Sequence, residues 1–143
     1  LSSQAKAHGM TFAHGSPRAP VWEYIDSAYT AELNFDILAT DTCVVGHTHV
    51  AAISECPRDR SPAIHTRWNP GQRIALANRR LILNPGSVGQ PRDGDPRACA
   101  MLIDTASGEV EWRRIAYPIE RTQRALRRLP LPESLATRLA LGR

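Results

Sequence analysis

The sequence predicts a mixed α/β chain whose second half is rich in antiparallel strands and whose end is helical. Three observations carry that expectation. Two apolar runs, "MTFA" from Met10 and "TDTCVVGHTHV" ending at Val50, are separated by a stretch with helical spacing. Short strand-like segments then follow one another between Gly- and Pro-rich breaks from Arg73 to Tyr117. The last part is Arg- and Leu-rich and is split at Leu129-Pro130-Leu131-Pro132.

The opening "LSSQAKAHGM" carries no strong helix or strand pattern. Met10 to Ala13 reads as a short strand that breaks into a Gly-Ser-Pro loop directly after His14. Pro20 suits the first turn of a helix, and Val21, Ile25, Ala28, Tyr29 and Leu33 continue at helical spacing, so 20–33 is expected to be an amphipathic helix. Residues 42–50 read as one buried strand containing Gly46. "RIALANRRLILN" reads as two strands around Asn78-Arg79, a weaker hairpin signal than Asn-Gly. Residues 84–97 form a long Gly/Pro loop, and "ACAMLID" and "EVEWRRIAY" make a hairpin around "TASG". Two short helices are expected at about 118–129 and 132–141. Trp22, Tyr24 and Trp112 read as core or partly buried aromatics, and His8 and His65 as ordinary surface histidines.

With 143 residues, 42% of them hydrophobic and 22% charged, the chain has room for one globular domain, 1–143, of which 118–143 is a basic helical segment. No apolar run approaches the roughly 20 residues that a membrane span needs, and no signal peptide opens the chain. Cys43, Cys56 and Cys99 are odd in number and far apart. That argues against a disulfide framework and for a reducing, cytoplasmic setting. The net charge of +4 is concentrated in the eight arginines that follow Trp112. A single aromatic residue, Tyr117, is interleaved there, too few to stack successive bases, so a solvated helix face is the expectation and nucleic acid is not the expected partner.

The stretch "CVVGHTHVAA" raises the functional question. On a strand, positions 47 and 49 would point the same way and Thr48 the other. His14 ends the first strand, and ligands of α/β sheets bind beyond strand ends. Neutral imidazole is a common ligand of divalent metals, so His14, His47 and His49 are candidate ligands. On spacing alone, hydrogen-bonded structural histidines explain the pattern as well. Glu23, Asp26, Asp36 and Asp41 are nearby acids without a ligand's spacing. Ser16 has no acid–base partner that would make it a nucleophile.

"HGSPR" at 14–18, "VVGHTHV" at 44–50 and "LNPGSVGQPRDGDPRA" at 83–98, in that order, resemble the C-terminal half of calcineurin-like metallophosphoesterases, and most nearly the small bacterial single-domain phosphodiesterases. The resemblance runs from about Met10 to the terminal helices. It implies half of a β-sandwich of mixed sheets flanked by helices. It further implies a binuclear site in which a hydroxide shared by two ions about 4 Å apart attacks phosphorus in line. His14 and His47 would be ligands of one ion and His49 of the other. Manganese is the implied metal, with iron, zinc, nickel or magnesium as further choices, and a nucleotide or cyclic nucleotide is the implied substrate class. Arg18 and Arg92 are candidate phosphate-binding residues, each weighed against a surface or loop-pinning arginine. Asn84, in the loop bordering the site, is a candidate substrate contact that also suits capping the turn, with Gly86 supplying a positive φ.

The family's earlier motifs, D-x-H, G-D-x-x-D and G-N-H-[DE], have no match in this chain, and with them go the bridging aspartate and the histidine that assists the leaving group. No catalytic residue is therefore assigned. The chain is expected to be an N-terminally truncated portion of the enzyme, inactive or nearly so by itself, with an apolar sheet face open to self-association. The alternative is a non-catalytic scaffold or binding module. A histidine-triad hydrolase is set aside because Ala51 stands where the third alternating histidine would be.

Overall fold

A computed structural model of the chain describes residues 3–59, 61–68 and 71–143. Its architecture is mixed α/β, as expected. Strands β1 (Gln4–Ala7), β2 (Met10–Ala13), β3 (Thr42–Val44), β4 (Ala51–Cys56), β5 (Ile64–Arg67) and β7 (Arg80–Pro85) form a six-stranded sheet in the order β1-β2-β3-β7-β4-β5. Strands β2, β3 and β7 are parallel, and the outer pairings are antiparallel. Strands β6 (Arg73–Ala75), β8 (Ala98–Asp104) and β9 (Glu109–Ile115) form a second, antiparallel sheet in the order β6-β9-β8.

Alternation along β7 explains the layering. Leu81 and Leu83 face the second sheet, where they pack with Ile53, Ile74, Cys99, Val110 and Trp112. Ile82, between them, faces the other way, against Phe35, Ala31 and Leu38. The central sheet is thus covered by a sheet on one face and by helix α1 (Ala28–Phe35) on the other, as in a sandwich flanked by a helix. The outer face of the second sheet carries the Arg73–Glu111 and Arg113–Glu111 pairs. Large exposed apolar side chains include Leu102 and Ile115 on the second sheet, with Trp22 and Leu131 elsewhere.

The expected helix over 20–33 is shorter and later. Ser27 caps it, its hydroxyl accepting from the Thr30 amide at 3.2 Å, and the helix ends near Phe35. Upstream, Glu23 is tied down: it accepts from Ser16 at 2.6 Å and from Asn34 at 2.8 Å, and pairs with Arg18 at 3.1 Å. Those anchors override the helical periodicity, leaving Val21 and Tyr29 exposed while Ile25 is buried. The strand expected over 42–50 stops at Val44, because His47 and His49 both have positive φ, 63° and 60°. β6 and β7 belong to different sheets and are not a hairpin; Asn78, at φ 60°, redirects the chain between them. β1, β4 and β5 were not evident in the sequence, since "QAKA" and "AAISEC" are poor in β-branched residues.

The hairpin of β8 and β9 stands as expected. So do the terminal helices, as α2 (Ile119–Leu126), α3 (Ser134–Thr137) and a 3-10 turn (Arg138–Leu141). No described helix is long and apolar enough to cross a membrane. Gly86 has the positive φ (80°) that the turn after β7 requires, and a Cβ there would lie 2.9 Å from the Cβ of Cys99. Gly86→Ala is therefore expected to cost about 1–3 kcal/mol, read as a shift in the urea midpoint at constant slope.

Candidate functional site

Three parallel strands deliver the site at their carboxyl ends. His14 follows β2, the loop Val45–Val50 follows β3, and Asn84 lies near the end of β7. The ladder runs on past the strands: Val45 N–H donates to Leu83 O at 2.9 Å, and Gly46 N–H to His14 O at 2.8 Å. This sheet order, β2-β3-β7, brings residues 33 positions apart together, and His14 Nε2 meets His47 Nδ1 at 2.9 Å.

The two histidines of "HTH" do not share one face of a strand, as the alternation argument expected. The Thr48 amide donates to Gly46 O at 2.7 Å, which closes a three-residue turn around His47. His47 and His49 both sit in the left-handed region, where a non-glycine residue costs about 1–2 kcal/mol. Such strain persists only where the surroundings over-determine it. Here they do. Asn84, 3% exposed, donates through Nδ2 to Gly46 O at 2.7 Å and to Thr48 Oγ1 at 3.0 Å, while its Oδ1 accepts from the Gly86 amide at 2.9 Å. The Asn84 carbonyl in turn accepts from Trp112 Nε1 at 2.9 Å. The Arg92 amide holds the far end of the loop through His49 O at 3.0 Å.

His49 Nδ1 lies 2.8 Å from Gln90 O. A carbonyl can only accept, so Nδ1 carries the proton and Nε2 keeps a lone pair, the tautomer that suits a ligand. Burial pushes the His49 pKa below the ordinary histidine value; the bond to Gln90 opposes that, and Arg92, His14 and His47 add to it. His49 is thus neutral at pH 7. Gln90 is itself held by the C-terminal segment, through Arg138 at 3.1 Å and the Arg143 carbonyl at 3.0 Å. The loop around it is pinned by the buried Arg114–Asp93 pair.

Two contacts escaped the sequence. Tyr24, 45% exposed, is no core residue: its ring stacks on His47 with centroids 4.1 Å apart and planes 12° apart. Nothing in "VWEYID" signals a partner at position 47. The Ser16–Glu23–Asn34 network fixes the loop carrying both His14 and Tyr24, and its members are 7 and 11 positions apart, so no local spacing announces it. Trp22 is 80% exposed, and Trp112 alone of the three flagged aromatics is buried. His65 is half-buried, its Nδ1 2.8 Å from the Ser54 hydroxyl, and is not a free surface histidine. Among the candidate anion contacts, Arg18 pairs with Glu23 and Arg92 is exposed beside His49.

As a donor set, His14 and His47 fit one divalent ion. Two nitrogens each about 2.1 Å from a shared ion come to lie roughly 3 Å apart, close to their present spacing. No carboxylate joins them, and among the described residues no group of three His, Cys, Asp or Glu side chains is placed to hold an ion. The residues present could supply imidazole nitrogens to part of a site.

Comparison with known proteins places this geometry. The sequence is 30% identical, over 145 aligned residues, to an uncharacterized protein of Methanocaldococcus jannaschii, of which the chain covers 56%. The fold superimposes on the crystal structure of a metallophosphoesterase from Sphaerobacter thermophilus with a TM-score of 0.94 and 43% identity, covering all of this chain and 58% of that one. A hypothetical protein of Pyrococcus horikoshii shares the fold at a TM-score of 0.72 and 16% identity, with 52% of that chain covered. The chain therefore spans somewhat over half the length of these relatives. Residues 3–108, which include every histidine discussed above, match the calcineurin-like phosphoesterase superfamily domain, and the chain belongs to that family.

Proposed function

We propose that the whole protein is a metal-dependent phosphodiesterase with a binuclear centre, acting on a nucleotide or cyclic nucleotide, and that this chain supplies its histidine ligands. The observation that carries the reading is the 2.9 Å approach of His14 Nε2 to His47 Nδ1 at the ends of parallel strands. Bound divalent ions, manganese foremost, would polarise phosphoryl oxygens and supply hydroxide near neutral pH. His14 and His47 would serve one ion and His49 the other, with His49 held in its tautomer by Gln90. Tyr24 keeps the His47 ring in plane, and Asn84 holds the loop and does not reach substrate. Arg92, exposed beside His49, is better placed than the Glu23-bound Arg18 to grip a phosphate.

Imidazole ligands carry no negative charge to offset the four positive charges of two dications, so carboxylates from elsewhere in the protein would complete the site. The test is hydrolysis of bis(p-nitrophenyl) phosphate with added Mn2+, by the 143-residue chain and by a chain extended to the length of its relatives. The extended form should be active and the short one nearly inactive. Robust hydrolysis by the short chain would overturn the incomplete-site part. Inactivity of the extended form with every divalent ion would leave a binding module.

A further inference from the structure

A concavity adjoins the histidine loop. It has a volume of about 220 Å3 and is walled by Ile25, Val50 and Ala52, with Asp26, His65 and Arg67 at its rim. Two of the segments that line it also carry residues of the candidate site. Thr48, which closes one end, sits between His47 and His49. Ile25 and Asp26 continue the segment whose Tyr24 stacks on His47.

The size is informative. The cavity equals about seven water volumes. It is smaller than the roughly 300–1,000 Å3 of pockets that enclose a whole ligand, and it suits one ring of a larger molecule. The chemistry narrows the choice. Opposed aliphatic side chains favour a flat apolar body. Asp26 offers acceptors and Arg67 donors, so the edge of that body must carry both N–H and C=O groups. His65 has one ring nitrogen taken by Ser54, which leaves the other for the rim, and the Asp26 carboxylate acts on that ring electrostatically. A sugar would need more hydrogen-bonding partners than these walls provide, and a cationic group would meet Arg67.

We propose that this cavity is a subsite for a nucleobase of the phosphoester substrate, with the phosphate at the histidines and Asp26 and Arg67 reading the base edge. The proposal rests on the phosphodiesterase reading for its position but can be tested apart from it. Guanine, with adjacent N–H donors and a carbonyl, is the probe.

In the extended protein, guanosine 5′-(p-nitrophenyl) phosphate should be hydrolysed with a kcat/KM at least about 10-fold above that of methyl p-nitrophenyl phosphate. Arg67→Ala should reduce that ratio about 10-fold, mainly through KM, and Ala52→Leu, which fills the cavity, should abolish it. Equal kcat/KM for the two esters, or a preference surviving both substitutions, would overturn the subsite and leave the hydrolase intact. Binding supplies the independent arm. Guanosine, but not ribose or inorganic phosphate, should shift the amide resonances of Val50 and Ala52, whether or not any ester is cleaved. If guanosine leaves those amides unmoved, the subsite is wrong; if they move while neither ester is cleaved, the hydrolase reading fails and the subsite stands.

Discussion

Replacing His47 by alanine or asparagine is expected to lower Mn2+-dependent hydrolysis of bis(p-nitrophenyl) phosphate by the extended protein about 100-fold or more, and to weaken Mn2+ binding by a similar factor. The two substitutions separate chemistry from folding. His47 sits at φ 63°, a conformation that asparagine tolerates and alanine does not. The asparagine variant should therefore match the parent in urea unfolding, while the alanine variant loses about 1 kcal/mol. Both lose the ring that faces His14 and stacks under Tyr24. Activity within about threefold of the parent in a stably folded His47→Asn variant would remove this histidine from the site.

Asn84→Ala is expected to destabilise the chain by about 1–3 kcal/mol, since it leaves the Gly86 amide without its acceptor, takes from the Gly46 carbonyl one of its two donors and removes the hold on Thr48. Its effect should exceed that of a typical surface substitution, about 0.5 kcal/mol at most. The same asparagine keeps two non-glycine residues in the left-handed region, so activity should fall even where the variant remains folded. Urea unfolding followed by tryptophan fluorescence is the natural measurement, because one of the three indoles, that of Trp112, donates to the Asn84 carbonyl at 2.9 Å. A loss below about 1 kcal/mol would mean that the loop holds its shape without Asn84.

Much of the fold was legible because hydrophobic pattern encodes burial. β2, the hairpin of β8 and β9, and the terminal helices each carry a local signal: a run ended by Gly-Ser-Pro, alternation at Val110 and Trp112, a split at paired prolines. Where the reading went astray, a longer-range contact outweighed the pattern. The segment 20–26 has helical spacing, yet Glu23 is bound to Ser16 and Asn34 and the helix waits for Ser27. β4 is Ala-rich and locally undistinguished, and it is a strand because it pairs with β7 along its whole length and with β5 over most of it.

The sequence by itself singled out the candidates for the chemistry, His14, His47 and His49, embedded in three motifs whose order points to the family. It could not decide how those imidazoles are presented. Strand alternation placed 47 and 49 side by side, whereas the fold turns the backbone into the left-handed region at both and sets His47 against His14 and His49 against Gln90. A local pattern reports the face on which a residue is buried. It does not report a positive φ at a histidine, which costs free energy locally and is sustained only by partners distant in sequence. Asn84, 38 positions from Gly46, is the residue that makes that conformation hold.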